Sequence, residues 1–544
     1  MRQRSSSLRF SFEYDAIIIG AGHNGLTCGC YLAKAGLRVL VLEEYHSIGG
    51  MTITEEITLP GFKSDIHAFG YQLANASPVP NELGLDRFGF ELIHPEILFS
   101  HIFPSGRYIS MFRSLEKTLR SIEKFSVKDA RTWYNLFNKY LLDRDKIFSS
   151  INSPPVEIIS SAEEYRKQHQ SMRSWCDEYF ESDEVKVVFG TFAAFVGLSP
   201  DDAGGGEVCH LFASIAQDKG NNVVKGGFCN LPKALARYIE SKGGVILTNA
   251  SVTKIIIENN KAIGVSLTNG KNILAKRLVA SSTDPSTLIL KLIGQDHVDS
   301  TIVNSIKRFE WGDSVFGIYL ALDGRPKYKS DQEVGSSSQI HISSAILENF
   351  SKTSYKCRSG MVPSNPPSIM SNESIMDPSR VPPQTDGTKK QLVKVLVLSV
   401  PYDIKNYDIN DNNNNNTNNT NTKIDWSNIK EQYSDQIIDR ITEDYIPNLK
   451  DIVLKKVAYS PVDYEKRPTT CIKGTLSCGA VLPYQSRSMR PIPQLSNYKI
   501  PSLQNVYLCG SGNHPGPGVS MAPGRNAAQI ILRDLGIDFN RLDG

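Results

Sequence analysis

Three glycines near the start of the chain have the spacing of a dinucleotide-binding loop. Gly20, Gly22 and Gly25 follow the run 15–19 (DAIII), which is apolar after Asp15, and precede the helix-compatible stretch 26–35. Gly20 permits a tight turn, Gly22 lets backbone N–H groups approach a diphosphate, and Gly25 lets the helix pack closely on the strand. The helix N-terminus adds partial positive charge. This pattern predicts a binding site for the diphosphate of a dinucleotide.

An acid and a second glycine pair follow this loop. Glu43 comes directly after the predicted strand 38–42, where it can accept hydrogen bonds from the ribose of adenosine. Gly49 and Gly50 come soon afterwards, and a glycine pair at this distance is typical of proteins that bind FAD rather than NAD. Strand, glycine loop, helix, strand and acid in this order indicate a βαβ unit, so FAD is the predicted cofactor.

A second glycine-rich loop, close to the C-terminus, has the composition to bind the same cofactor. It contains Gly510, Gly512, Gly518 and Val519 and leads into a predicted helix. A loop of this kind presents several backbone N–H groups on one side. We expect these groups to bind the ribityl and phosphate oxygens of FAD.

Blocks along the chain resemble the phytoene dehydrogenase-related FAD oxidoreductases. These blocks are 20–50, 54–56 (TEE), 60–62 (PGF), 226–285 and 490–528, and the resemblance extends more weakly over nearly the whole chain. It implies an α/β fold, in which a discontinuous Rossmann-like FAD-binding domain carries an inserted mixed α+β substrate domain. It also implies that the backbone of Val252 faces the adenine of FAD.

The predicted domains combine distant parts of the chain. Segments 13–72, 224–300 and 500–540 form the FAD-binding domain, and 73–223 and 301–499 form the substrate domain. The tract 410–423 is rich in asparagine and has no apolar residue to bury, so it predicts a disordered surface loop. Periodicity predicts helices at 114–125, 129–148, 230–242 and 426–445, and strands at 244–248, 252–259, 262–269, 277–281 and 392–400.

Charge and cysteine usage exclude several classes of function. The net charge is only +3 and no long basic stripe occurs, which argues against a nucleic-acid partner. The nine cysteines are scattered, with no CxxC pair and no cluster of metal-ligand spacing, so we expect a reducing compartment and no metal site. Because a second GxGxxG loop is also missing, a pyridine nucleotide-dependent disulfide reductase is disfavoured.

The longest apolar stretch, 187–198, leaves two interpretations open. It is far shorter than the ~20 residues that a membrane-spanning helix needs. One interpretation is a buried helix, and the other is the apolar wall of a substrate tunnel or a patch that dips into a membrane. A peripheral membrane or protein partner therefore stays open.

Several polar residues could lie near the flavin. His23 and His514, in the two glycine loops, either approach the cofactor or are ordinary hydrogen-bonded loop histidines. Asp65 and His67 either line the flavin face or have a structural role. Ser511 stands where related desaturases usually have an acid, which leaves the ribityl contacts open. We assign no catalytic residue, because hydride transfer to a flavin can proceed by positioning and exclusion of water.

The resemblance implies an FAD-dependent oxidoreductase that removes hydride from an apolar small molecule and passes the electrons to an unidentified acceptor. The alternative is a flavin-stabilised regulatory or scaffold protein with little turnover. Residues 1–12 are rich in arginine and serine and contain no acid, as in a transit peptide. With the resemblance to animal members of the family, this suggests the mitochondrial matrix. A solvated tail on a cytoplasmic protein is the alternative, and the oligomeric state stays open.

Overall fold

The computed structural model describes residues 14–156, 161–383, 389–407, 424–467 and 471–542. The predicted asparagine-rich loop, 410–423, and the arginine-rich start, 1–12, lie outside these ranges. The strands, numbered in chain order, are β1 (Tyr14–Ile19), β2 (Val39–Leu42), β3 (Thr54–Glu55), β4 (Ser64–Asp65), β5 (Leu92–Ile93), β6 (Ile97–Ile102), β7 (Tyr108–Phe112), β8 (Val223–Val224), β9 (Val245–Leu247), β10 (Val252–Glu258), β11 (Lys261–Leu267), β12 (Asn272–Ser281), β13 (Ser314–Asp323), β14 (Ser337–Ile342), β15 (Ser368–Ser371), β16 (Lys390–Val400), β17 (Val453–Tyr459) and β18 (Val506–Leu508).

The α-helices connect and cover these strands. They are α1 (His23–Lys34), α2 (Val79–Leu83), α3 (Leu115–Glu123), α4 (Val127–Ile151), α5 (Ala162–His169), α6 (Met172–Tyr179), α7 (Asp183–Phe195), α8 (Gly205–Lys219), α9 (Asn230–Ser241), α10 (Ser300–Lys307), α11 (Glu348–Arg358), α12 (Glu373–Met376), α13 (Trp426–Asp444), α14 (Leu449–Ile452), α15 (Pro461–Lys466) and α16 (Ala522–Asp534). None of the helices in the described ranges is long and apolar enough to cross a membrane.

A parallel sheet brings together strands from distant parts of the chain. Its order is β9, β2, β1, β12 and β18, with Ile17 opposite both Leu40 and Val279. The first residues of β12 pair with β11 in an antiparallel hairpin, and its last three pair with β18. Because β12 belongs to both parts, it begins at Asn272, earlier than the predicted strand 277–281.

Both faces of this sheet are covered, which explains the unbroken apolar run in β1. Ala16 and Ile18 pack under helices α1, α9 and α16, whereas Ile17 and Ile19 pack against the segment 288–306 on the other side. Parallel strands buried on both faces are typically apolar throughout. The parallel sheet with helices on its faces agrees with the predicted α/β, Rossmann-like fold.

The packing around this sheet differs from the predicted domain boundaries at 73 and 301. Ala74, Val79 and Leu83 lie in the cluster that covers one face, and Ile302 and Val303 lie in the cluster on the other face. The amphipathic pattern of such segments shows that one side is buried, but it does not specify the sheet against which that side packs.

A second sheet lies between two helical layers formed by other described residues. Its order is β17, β13, β16, β15, β14, β6 and β7, and its pairs are antiparallel except for β14 with β6. One face packs against α13, and the opposite face packs against helices α3, α4, α6, α7 and α8. Alternate residues of β16 show both environments, since Val395 faces α13 and Leu396 faces the helical layer.

The apolar stretch 187–198 forms most of α7 and is buried in this helical layer. Phe192 is 4% exposed, and its ring centroid lies 5.1 Å from that of Phe99 on β6. The buried-helix interpretation is therefore correct for α7. Phe195, at the end of α7, is only partly buried.

Candidate functional site

A cleft opens at the carboxyl ends of the parallel strands, the usual place for a ligand in such sheets. About 880 Å³ of space within it is free of protein atoms, a volume that includes open solvent. Residues directly after β1, β2 and β12 form its walls. The full lining is Ile19, Gly20, Gly22, His23, Asn24, Leu42, Glu43, Glu44, Gly50, Met51, Ala250, Val252, Ser282, Thr283, Thr287, Leu292, Cys478 and Ser511.

The loop between β1 and α1 is compact enough to require glycine. Gly20 has φ of +92°, and a Cβ there would lie 2.5 Å from the hydroxyl of Ser282. A Cβ on Gly25 would collide with the carbonyl oxygen of Gly20. Gly22 precedes α1 and leaves the helix N-terminus open to the cleft. Gly20 and Gly22 therefore lie on the cleft, and Gly25 serves the contact between helix and loop.

The glycine pair packs against this loop from the next segment. The N–H of Gly49 donates to the carbonyl of Ala21 over 2.9 Å, and a Cβ on Gly50 would lie 3.2 Å from Gly22 Cα. Gly50 lines the cleft, whereas Gly49 lies behind it. Because Gly22 and Gly50 have no side chains, a ligand in the cleft can contact their backbone directly.

Glu43 is a buried carboxylate at the end of β2. Its Oε2 accepts from the N–H of Ala21 over 2.7 Å, and its Oε1 accepts from the N–H of Tyr45 over 2.9 Å. Burial raises the pKa of Glu43, and the backbone donors oppose this shift. A carboxylate has about four acceptor positions, so it can still accept ribose hydroxyls. Val252, at the start of β10, lines the same part of the cleft beside Ala250.

The C-terminal loop closes the cleft by packing on the segment after β12. A Cβ on Gly510 would lie 2.5 Å from the carbonyl oxygen of Ser282, and one on Gly512 would lie 2.5 Å from Pro285. These two glycines thus let Ser511 reach the cleft. Gly518 and Val519 do not line it.

Gly518 and Val519 lie further along the same loop. A Cβ on Gly518 would lie 3.0 Å from the side chain of Leu73, and Val519 packs against the helices that cover the parallel sheet. The two predicted residues therefore lie between the cleft and the start of α16, next to Leu73.

The two cofactor loops meet through a side-chain hydrogen bond. Asn24 Nδ2 donates to Ser511 Oγ over 2.8 Å, and Asn24 Oδ1 is buried with no hydrogen-bond partner. His23, next to it, is 7% exposed, and burial lowers the pKa of its imidazole to about 4, although the backbone of Gly518 opposes the shift. The ring is therefore neutral near pH 7. Asn24 and His23 present uncharged polar groups at the cleft.

Several lining residues could not be found from sequence motifs. Ser282, Thr283 and Thr287 reach the cleft because β12 lies beside β1 in the parallel sheet. The predicted strand 277–281 places these residues just after a strand. The sequence does not show that this strand pairs with β1. Cys478 comes from an irregular segment with no recognisable signal.

The structure separates the roles of the other candidate histidines. His514 Nε2 lies 2.9 Å from the carbonyl oxygen of Ser150, so this ring ties the C-terminal loop to α4. His67 is 2% exposed, and neither ring nitrogen has a hydrogen-bond partner. Burial, with the nearby cations Lys394 and Arg467, lowers the pKa of His67 to about 3. His67 is consequently a neutral ring under ordinary conditions and unsuited to act as a base.

Asp65 belongs to a buried charge cluster rather than to the cleft. Arg380 lies 2.9 Å from Asp65 Oδ2 and 2.8 Å from Glu373 Oε2. Lys394 donates to the carbonyl oxygens of Asp65 and Ala68 over 2.9 and 2.6 Å. This cluster fixes the segment after β4 against β16 of the second sheet.

Comparison with known proteins assigns the family. Residues 25–401 match the model of the flavin containing amine oxidoreductases. The chain belongs to the flavin containing amine oxidoreductase family. FAD is therefore its cofactor, as predicted, and the chain is an oxidoreductase.

Individual relatives cover almost the whole length of this flavin containing oxidoreductase. It is 30% identical to rat (Rattus norvegicus) pyridine nucleotide-disulfide oxidoreductase domain-containing protein 2, over 96% of this chain and 94% of the relative. It is 25% identical to a limonene dehydrogenase polypeptide of Castellaniella defragrans, over 97% and 96%. Phytoene desaturase of a Paracoccus species is 22% identical over 96% and 97%, and the predicted resemblance is confirmed.

Solved structures show the same fold. Putrescine oxidase bound to putrescine has a TM-score of 0.60 and 14% identity, covering 96% of this chain and 98% of the other. Cyclohexylamine oxidase from Brevibacterium oxydans has a TM-score of 0.56 and 14% identity, over 96% and 99%. Likeness at this identity concerns the fold alone and confirms the predicted α/β architecture.

The residues of the cleft fit FAD. Gly20, Gly22 and Gly50 form a cradle that a Cβ would fill, and α1 directs its N-terminus into it. Glu43 retains acceptor positions for hydroxyl groups, and Asn24 has a buried oxygen without a partner. These groups would hold the diphosphate and the adenosine ribose. The bound cofactor would supply the isoalloxazine, which accepts hydride.

Proposed function

We propose that this FAD-dependent oxidoreductase removes hydride from an apolar hydrocarbon. The observation that carries the proposal is the surface of the second sheet that faces the helical layer. Phe99, Ile369, Leu396 and Leu398 lie on that surface in one apolar cluster with α7, and Phe192 of α7 packs on Phe99. These side chains are packed together, so a hydrocarbon would enter at the half-buried margin of the layer, where Phe195 lies, and would gain about 25 cal/mol per Å² of apolar surface removed from water. Such a substrate needs few polar anchors.

The names of relatives support an apolar substrate. The relatives include a limonene dehydrogenase polypeptide, a phytoene desaturase and the 4,4'-diapolycopen-4-al dehydrogenase of Metabacillus indicus. Limonene and phytoene are hydrocarbons without charged groups. Proteins with these names match this chain over at least 92% of its length.

The charge distribution favours a neutral substrate over an amine. Lys394 is on the helix-facing side of β16, directly opposite Tyr319 of β13. Its ammonium is 4.0 Å from the ring centroid of Phe69 and bonds to backbone carbonyls. Asp65 and Glu373 offset the charges of Lys394 and Arg380, so the cluster offers no unpaired carboxylate to bind an amine.

The test is anaerobic reduction of the bound FAD. The FAD-loaded chain is mixed with limonene or a long polyene in detergent, and in parallel with putrescine or cyclohexylamine, while FAD absorbance is followed. We expect a hydrocarbon to bleach the FAD and the amines to leave it unchanged. Bleaching by amines alone would contradict the proposal. FAD that stays bound and is reduced by none of these compounds would instead favour a regulatory or scaffold protein with structural FAD.

A matched pair of variants on β16 sharpens this test. Leu396→Ala removes apolar surface on the helix-facing side, and Val395→Ala does so on the side that faces α13. Both variants lose packing, but only Leu396→Ala should raise the hydrocarbon concentration needed for half-maximal bleaching. Equal changes in the two variants would argue that Leu396 acts through stability alone.

We also propose a mitochondrial location. Arg2, Arg4 and Arg9, together with serines 5–7 and the lack of an acid in 1–12, support it. The electron acceptor would then be a quinone, oxygen or another acceptor available in that compartment. A fluorescent protein fused to the C-terminus should co-localise with a mitochondrial marker, and a cytosolic signal would contradict the proposal.

A further inference from the structure

Arg490 places a buried positive charge behind the wall of the FAD cleft. The residue is 0% exposed. Its Nε and Nη2 donate to the carbonyl oxygen of Ser511 over 3.3 and 3.1 Å. The remaining contacts are also with carbonyl oxygens, those of Ser477 and Cys478 at 3.0 Å and of Ala480 and Gln485 at 3.2 Å.

Among the residues that the structure describes, no carboxylate oxygen lies within 4.0 Å of a guanidinium nitrogen of Arg490. Arg380, another fully buried arginine, contacts both Asp65 and Glu373. Burial lowers the pKa of Arg490 to about 10, which still leaves the guanidinium charged at neutral pH. Burying a charge without a counter-charge is costly, even when carbonyl dipoles surround it. Arg490 is therefore expected to gain stability from an anion that binds nearby.

Arg490 lies directly behind the part of the cleft wall that Cys478 and Ser511 form. Cys478 and Ser511 line the cleft, and their carbonyl oxygens accept hydrogen bonds from the guanidinium. A Cβ on Gly516 would lie 3.1 Å from Arg490 Nε, so the C-terminal loop also wraps around the charge. One layer of backbone thus separates the guanidinium from the ligand space.

We propose that Arg490 stabilises the negative charge that FAD gains on reduction, and so raises its reduction potential. A hydride brings two electrons and one proton to FAD, and the reduced cofactor then carries one more negative charge than the oxidised form. The diphosphate has the same charge in both forms. Its interaction with Arg490 therefore does not change the ratio of the affinities for reduced and oxidised FAD. All five N–H donors of Arg490 are occupied by carbonyl groups, and the effect is therefore exerted through the electric field.

Two substitutions separate charge from shape in the FAD-loaded chain. Arg490→Gln removes the charge, whereas Arg490→Lys keeps it, and both lose the five-donor fork. We expect Arg490→Gln to weaken binding of reduced FAD relative to oxidised FAD by about tenfold, which lowers the two-electron midpoint potential by about 30 mV. Arg490→Lys should keep a potential close to that of the original chain. A dye-equilibration titration measures both.

Other results would overturn the proposal. Equal lowering of the potential in both variants would mean that Arg490 acts only by holding the loops in place. An unchanged potential, with weaker binding of oxidised FAD and of ADP, would assign the charge to the diphosphate.

Sulfite provides a measurement that needs no variant. Addition of sulfite bleaches FAD and leaves a negative charge on it, so a nearby cation favours the bleached form. The original chain should therefore be bleached by millimolar sulfite. If Arg490→Gln does not retain FAD, failure of sulfite to bleach the original chain would overturn the proposal by itself.

Discussion

Asn24 Nδ2 donates a hydrogen bond to Ser511 Oγ over 2.8 Å and joins two cofactor loops that are 487 residues apart. Asn24→Ala and Ser511→Ala should each weaken FAD binding by about 1 kcal/mol, the typical net contribution of such a bond. The double variant should lose less than the sum of the single losses, because both remove the same bond. Fluorescence titration of the apoprotein with FAD measures this, and strictly additive losses would show that the bond does not contribute.

Glu43→Ala should weaken FAD binding by roughly 1–3 kcal/mol, because it removes a buried acceptor and frees the N–H of Ala21. Glu43→Gln keeps one acceptor oxygen and should have a smaller effect. An FAD affinity of Glu43→Ala equal to that of the unchanged chain would place the ribose acceptor elsewhere.

Glu43 also predicts a pH dependence of FAD binding. The carboxylate form accepts hydroxyl hydrogens, and burial raises the pKa of Glu43 above its ordinary value of 4.5. The affinity for FAD should therefore decrease as the pH falls, and the decrease should begin at a higher pH than for an exposed glutamate. The Glu43→Gln variant should lack this decrease. A pH profile that is the same in both proteins would assign the titration to another group.

Local motifs allowed part of the cleft to be predicted from sequence. Gly20, Gly22 and Gly50 could be named because the steric demands of a diphosphate loop act within a few residues. Glu43 followed from its place at the end of a predicted strand. Each of these positions is fixed by local geometry and lies on the cleft in the structure.

Contacts between distant segments could not be predicted in this way. Ser282 reaches the cleft only through the parallel pairing of β1 with β12, which are far apart in the chain, and Arg490 contacts Ser511 through an irregular segment. The charge cluster of Asp65 and Arg380 joins residues that are remote in the chain. Periodicity shows which side of an element is buried, but it does not name the partner.

Phe192 should be a stability determinant rather than the wall of an open tunnel. It is 4% exposed and packs on Phe99, so Phe192→Ala should cost about 3–5 kcal/mol of folding free energy. Phe195→Ala, at the half-buried end of the same helix, should cost less. Melting temperatures of the FAD-loaded variants measure the difference. Equal melting temperatures for Phe192→Ala and the unchanged chain would contradict the burial of α7.

Arg380→Gln should destabilise the fold by about 3–5 kcal/mol, because it leaves Asp65 and Glu373 as buried carboxylates without their arginine. Arg166→Gln provides the comparison, since Arg166 pairs with Glu178 at the solvent-exposed surface and should contribute little to stability. Arg380 lowers the pKa of Glu373, so in Arg380→Gln the folded-state pKa of Glu373 rises further and the destabilisation should diminish as the pH falls. The same loss of unfolding free energy at every pH would show that the destabilisation does not come from the buried carboxylates.

FAD should bind in the cleft at the ends of β1, β2 and β12. The most direct measurement is to purify the chain, record its absorbance spectrum, and titrate the FAD-free form with FAD in the absence and presence of ADP. We expect a yellow protein that releases one FAD per chain on denaturation. We also expect ADP to compete with FAD, because ADP would occupy the half of the site formed by the glycine loop and Glu43. A colourless protein that also fails to bind added FAD would contradict it.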